Sequence, residues 1–260
     1  MRNPPRHDLF KEEQLMNKRE TVQNLLTVGE IRDLHLAVLA QMPLNLDPAK
    51  VRADLKSKTV LGSDLGKFFR NRYAAQTLID TASWVDFYRR IFGKEVDLNN
   101  LHVPTRPEYE CWPIVMVPDI SNNDAFEACK KQFGKAWRYV DDLNTVHDVV
   151  NRPDGPYVVW VKANVEADPD LANVSAKEVE DRGCNTLALR ERFVLELKYF
   201  DETKQKQHLD IENWTLCAGS RYAGGGVPCV CWDGDGAGLS VDWCSVGGSH
   251  PHLRARSAVS

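Results

Sequence analysis

The sequence predicts an α+β protein, a helical N-terminal region followed by a domain built around a small antiparallel sheet. Three observations carry that expectation. Apolar residues recur at helical spacing as far as residue 92, prolines break the pattern near residue 100, and residues 213–260 alternate in the manner of strands.

Within 1–95, the first 24 residues are polar, and Ile31, Leu34, His35, Val38 and Leu39 then mark one face of a helix over 28–42 that Pro43 stops. Asp47-Pro48 supplies an N-cap and a proline at the first helical position, leading into short helices through Val51, Leu55, Leu65, Phe68 and Phe69. A further helix over 77–92 runs through Ile79, Trp84, Phe87, Tyr88 and Ile91 and ends at Gly93. The texture changes at Pro104 and Pro107, which places a domain boundary at 93–107 and a second domain over 105–260. There, 114–117 suits a buried strand, Ser121 and Asp124 have capping-box spacing, and 135–140 (KAWRYV) and 157–162 (YVVWVK) are strands. Helices follow from Ser175 and over 186–202, the latter through Leu189, Phe193, Leu197 and Phe200.

Composition excludes several function classes. The net charge of −4 offers no electrostatic case for nucleic acid or an anionic membrane. No segment is apolar for long enough to span a bilayer, and residues 1–10 have no signal-peptide core, so a cytoplasmic location is expected. Seven cysteines, an odd number, argue against a disulfide framework. Four of them fall within the last 44 residues.

That C-terminal segment is compositionally odd. After Glu212 the chain has no Lys, Glu, Gln or Met, although the first three number 37 in the preceding 212 residues. On composition alone about seven would be expected there. In 227–233 (VPCVCWD), Val230 and Trp232 share one side, and Cys229, Cys231 and Asp233 the other. In 239–245 (LSVDWCS), Leu239, Val241 and Trp243 oppose Ser240, Asp242 and Cys244. Gly234 to Gly238 (GDGAG) suits the hairpin between them, and 253–259 (LRARSAV) is expected to close the sheet as a third strand. The plain reading is a sheet with one buried and one solvated side, but solvated faces favour Lys, Glu, Thr and Gln over Cys.

Residues 209–220 (LDIENWTLCAGS), Val227-Pro228, Trp232, Leu239, Val241, Trp243 and the ending 253–260 (LRARSAVS) resemble the C-terminus of variable proteins diversified by bacterial retroelements. The resemblance implies a C-type-lectin-like fold, related in architecture to the formylglycine-generating enzyme family, whose last strands and loops carry the variable positions. It also implies adenine-directed mutagenesis of AAY codons to NNY codons, which cannot encode Lys, Gln, Glu, Met or Trp. Four of those five are missing after Glu212, and Trp214, Trp232 and Trp243 then become invariant scaffold. The implied function is ligand binding without catalysis, by a variable segment at about 220–253. The contact surface would comprise Tyr222, Ala223, Gly226, Cys229, Cys231, Asp233, Asp235, Ser240, Asp242, Cys244, Ser245, Ser249, His250 and His252, with Tyr222 as aromatic anchor and a protein or other macromolecule as ligand. No cofactor is implied, and the helices of 1–95 could serve oligomerisation.

Two other chemistries compete. Cys229, Cys231, Cys244, His250 and His252 could ligate a metal, though neither a CxxC knuckle nor a regular His spacing is present. A cysteine-dependent oxidoreductase is the other alternative, in keeping with the C-terminal cysteines used by the formylglycine-generating relatives. Asp233-Gly234-Asp235-Gly236 hints at a calcium loop, but Ala237 and Cys244 occupy ligand positions. His147-Asp148 is expected in a solvated loop, and Cys217 is expected to be a buried structural thiol.

Overall fold

A computed structural model describes residues 79–260. The chain divides into two compact units at Arg70/Asn71, and every described residue belongs to the second. The helices expected over 28–42 and 48–69, and any oligomerising role for them, lie outside the described residues.

The first described helix, α1 (Thr81–Phe92), is capped by Asp80, whose side chain accepts from Ser83 N, and closed by Gly93 at φ 67°. Its Trp84, Phe87, Tyr88 and Ile91 are buried in the main core, and the Tyr88 hydroxyl donates to Val115 O at 2.6 Å. The boundary expected at 93–107 is therefore corrected: α1 belongs to the C-terminal unit, because its aromatic face has its partners there. The chain continues through β1 (Cys111–Met116), α2 (Asn122–Phe133), β2 (Ala136–Arg138), β3 (His147–Asp148), β4 (Tyr157–Lys162), α3 (Ala176–Asp181) and α4 (Leu189–Glu202). Six short strands complete it: β5 (Trp214–Leu216), β6 (Ser220–Arg221), β7 (Val227–Asp233), β8 (Gly238–Cys244), β9 (Leu253–Ala255) and β10 (Ala258–Val259). The capping boxes at Ser121/Asp124 and Ser175/Glu178 form as their spacing predicts.

The α+β class holds, but the expectation of one small antiparallel sheet does not. A five-stranded mixed sheet has the order β2-β8-β7-β5-β9, with β2–β8 and β5–β9 parallel. An antiparallel sheet has the order β1-β4-β10, and β3 pairs with β6. The strand expected over 253–259 breaks at Arg256 and Ser257 and serves both larger sheets. The break has a local cause: the Arg256 side chain is buried among polar groups, and Ser257 N donates to Asp168 Oδ2 at 3.0 Å.

Ten residues of α4 are buried, among them Glu191, Arg192 and Glu196. These charges are partnered. Arg192 Nη1 donates to Glu196 Oε2 at 2.7 Å and Nε to Asp210 Oδ2 at 2.9 Å. Arg256 Nη2 donates to Asp210 Oδ1 at 2.6 Å, and its other nitrogens reach Thr215 Oγ1 and the carbonyl of Asn164. Asp210 also accepts from Ala167 N and from the Thr215 hydroxyl. A fully buried lattice thus ties α4 to β5 and to the bend after β9. Also in the first turn of α4, Glu191 pairs with Arg152 at 2.7 Å, and the Tyr157 hydroxyl donates to the same carboxylate at 3.1 Å. Among the described residues, no helix is long and apolar enough to cross a membrane.

Candidate functional site

The hairpin β7–β8 is the centre of the region singled out by composition. Its register pairs Cys229 with Asp242, Val230 with Val241, Cys231 with Ser240 and Trp232 with Leu239, so the expected division of faces is present. Burial does not follow that division. Val230, Leu239 and Val241 face the main core, where Trp232 is partly buried and stacks on His208 at 3.3 Å between ring centroids. Trp243, expected in the scaffold, is 44% exposed. Beyond Val241 the core ends, and Trp243 packs against the rim residue Tyr139, their rings 5.7 Å apart.

The opposite face is corrected as well. Cys229 and Cys231, expected at the surface, are each 5% exposed. A second apolar cluster covers that side of the sheet: Leu171, Val174, Ala176 and Val179 from the 169–181 region pack with Leu216, Val227, Cys229, Leu253 and Ala255. The sheet is a middle layer at β5 and β9 and open toward β8. Cysteine at 229 therefore needs no solvated-face explanation.

The candidate residues divide among separate hollows rather than forming one surface. The first, about 320 Å³, is lined by Cys229, Asp242, Cys244, His250 and His252 together with Glu212, Trp214 and Leu253. Its back wall is rigidly placed, because Glu166 accepts from the backbone N–H groups of Ile211, Glu212 and Asn213 and from the Asn213 amide at 2.9–3.2 Å. Trp214 N donates to His252 O at 2.7 Å, and the His250 and His252 rings lie 5.5 Å apart. Asp242 Oδ1 accepts from Trp243 N. The two thiols differ: Cys244 is half-buried and held below the ordinary cysteine range, chiefly by the neighbouring Cys229 thiol, whereas the Cys229 thiol is pushed up by Cys244 and by burial.

A second hollow, about 290 Å³, brings Tyr222, Ala223 and Gly226 beside Tyr139, Val140, Thr145 and Trp243. Tyr222 is only 7% exposed, and its hydroxyl reaches Asp242 O at 3.4 Å, so it is a wall and not the protruding anchor expected. Trp243 and Tyr139 are the exposed aromatics here. A third, about 340 Å³, holds Asp233 and Ser240 with Lys130, Lys135 and Trp137. Asp235, Ser245 and Ser249 are exposed outside all three hollows, and Cys231 is buried outside them.

The competing chemistries find mixed geometry. Among the described residues, no group of three or more His, Cys, Asp and Glu is arranged to hold a metal ion. The apparent calcium loop is a turn in which Asp233 Oδ1 accepts from the backbone N–H of Asp235 and of Gly236 at 3.1 Å. His147-Asp148 forms a short strand and not a loop, and Asp148 Oδ1 accepts from the Ser220 hydroxyl at 2.7 Å. Cys217 is fully buried and its thiol is pushed well up by burial, as a structural cysteine would be.

Sequence reasoning missed Trp137, Tyr139, Glu212 and Trp214 as lining residues. Trp137 and Tyr139 alternate on the edge strand β2 and its extension, a pattern visible in KAWRYV once that strand is known to border β8. Glu212 and Trp214 carried no such signal. No family model, curated protein or solved structure matches the chain.

Proposed function

We propose that the C-terminal unit is a C-type-lectin-like ligand-binding domain whose last strands and loops present exchangeable side chains, without catalysis. One observation carries the reading. Many residues of the resembling frame hold the fold, and many of the candidate contact residues lie at rims and hollows. Asp210, Thr215 and Arg256 belong to the frame and form the buried lattice, while Gly219 and Ser220 seat the start of α4. Ala223, Asp233, Asp235, Ser245, Ser249, His250 and His252 are exposed. A rigid frame with replaceable side chains over shallow hollows suits recognition by shape and hydrogen bonding, as loops on a fixed scaffold do.

Sequencing of sibling genes and of their neighbourhood tests this. The expected result is a near-repeat of the 3′ end beside a reverse transcriptase, with differences confined to the hollow and rim positions. Differences that fall as often on Asp210, Thr215, Trp232 and Arg256 would sink the reading.

A further inference from the structure

We propose that Cys244 is a reactive thiol that undergoes exchange with small neutral or cationic organic disulfides, and that Cys229 is its positioning residue. The inference rests on the two thiols and their hollow, and it stands apart from the ligand-display reading.

The register supplies the first observation. Cys229 pairs with Asp242 and Cys244 with Val227, so the cysteines are diagonal neighbours on one face of adjacent antiparallel strands. Both are free and both line the same hollow. Access is asymmetric: Cys244 is half-buried, whereas Cys229 beside it is 5% exposed. An attacking reagent therefore meets Cys244 first.

Electrostatics select the same atom. The neighbouring Cys229 thiol is the main influence holding the Cys244 thiol below the ordinary cysteine range. Burial opposes this, the Arg221 guanidinium of β6 assists it, and the Asp242 carboxylate of β8 opposes it. Glu180 of α3 approaches Arg221 at 3.8 Å and tempers that charge. Glu212, His250 and His252 complete the titratable lining of the hollow. A partly accessible thiol whose proton affinity is lowered by its neighbours is the arrangement that makes a cysteine nucleophilic.

The step balances without a cofactor. The Cys244 thiolate attacks one sulfur of R–S–S–R, a Cys244–S bond forms as the R–S–S–R bond breaks, and RS⁻ leaves with the electron pair and takes a proton from water. The Cys244 sulfur is oxidised and the departing sulfur reduced. The acidic side chains Glu212 and Asp242 at the hollow disfavour an anionic reagent, which sets the charge preference.

The full-length reduced protein is treated near neutral pH with limiting dithiodipyridine, and the modified peptides are located by mass spectrometry. Cys184, also partly buried and packed against the same apolar cluster, is the internal control. Cys244 is expected to react about tenfold faster than Cys184. Cys229→Ala should slow Cys244 and move the midpoint of its rate–pH profile upward, and Cys229→Ser, whose hydroxyl can donate, should restore much of both. Cystamine should modify Cys244 faster than glutathione disulfide does. Equal or faster reaction at Cys184, an unmoved rate–pH midpoint in folded Cys229→Ala, or the reverse order of the two disulfides would each overturn the proposal. The comparison of Cys244 with Cys184 needs no variant, so it decides the matter even if Cys229→Ala does not fold.

Discussion

Asp210 has a positive φ of 53° and accepts from two arginines, a hydroxyl and a backbone N–H, all out of contact with water. Burial alone would raise its proton affinity, but Arg256 and Arg192 outweigh it and hold the carboxyl below the usual range. A depressed folded pKa stabilises fully above the unfolded value of about 4, and that stabilisation is lost as pH falls through the lower folded value. Asp210→Asn should therefore flatten the acid limb of a denaturant-midpoint-versus-pH curve below about pH 4, while costing stability at neutral pH. Arg256→Met leaves one side of Asp210 unpaired and should destabilise by about 3–5 kcal/mol in urea titration. The tryptophans give a second residue-level contrast. Trp232, stacked on His208 and edge-on to Phe133 at 5.7 Å, should cost about 3 kcal/mol as Ala, and the exposed Trp243 about 1 kcal/mol or less. A larger loss at Trp243 than at Trp232 would contradict the burial pattern.

At the level of elements, helices with local punctuation were legible. Ser121, Ser175 and Gly93 mark termini in the sequence and mark them in the structure. The start of α4 was not, because its caps come partly from elsewhere. Leu189 N donates to the hydroxyl of Ser220, 31 residues on, and Ala188 N donates to Glu191 Oε2. The helix accordingly begins at Leu189 and not at 186. Ser220→Ala should cost about 1 kcal/mol by removing that cap. Gly219 is packed so closely that an added Cβ would lie 2.9 Å from the backbone of Leu187 and Ala188. Gly219→Ala should cost about 1–3 kcal/mol in the same measurement, since backbone and not a flexible side chain must move.

For the whole molecule, the arrangement predicts that stability and recognition are separable. A library with Ser245, Ser249, His250 and His252 varied together should keep its thermal midpoint near that of the parent, because these side chains are exposed. A parallel set at Asp210, Thr215, Cys217 and Arg256 should mostly fail to fold. Comparable losses in both sets would remove the distinction between frame and surface.

The sequence by itself determined the α+β class, the helix termini at Gly93, Ser121 and Ser175, the two faces of β7 and β8 and the compositional break after Glu212. Each rests on local periodicity or on a residue type with a single backbone use. Only the tertiary structure decided which face is covered. Alternation shows that Cys229 and Trp243 are on opposite sides but not that a second cluster from 169–181 buries the first, or that the core ends before the second. The buried lattice was equally illegible, because Glu191, Arg192 and Glu196 look like the polar side of an amphipathic helix until Arg152, Asp210 and Arg256 arrive from distant segments to complete their pairing. Burial and charge pairing belong to neighbours in space, which period and composition along the chain do not specify.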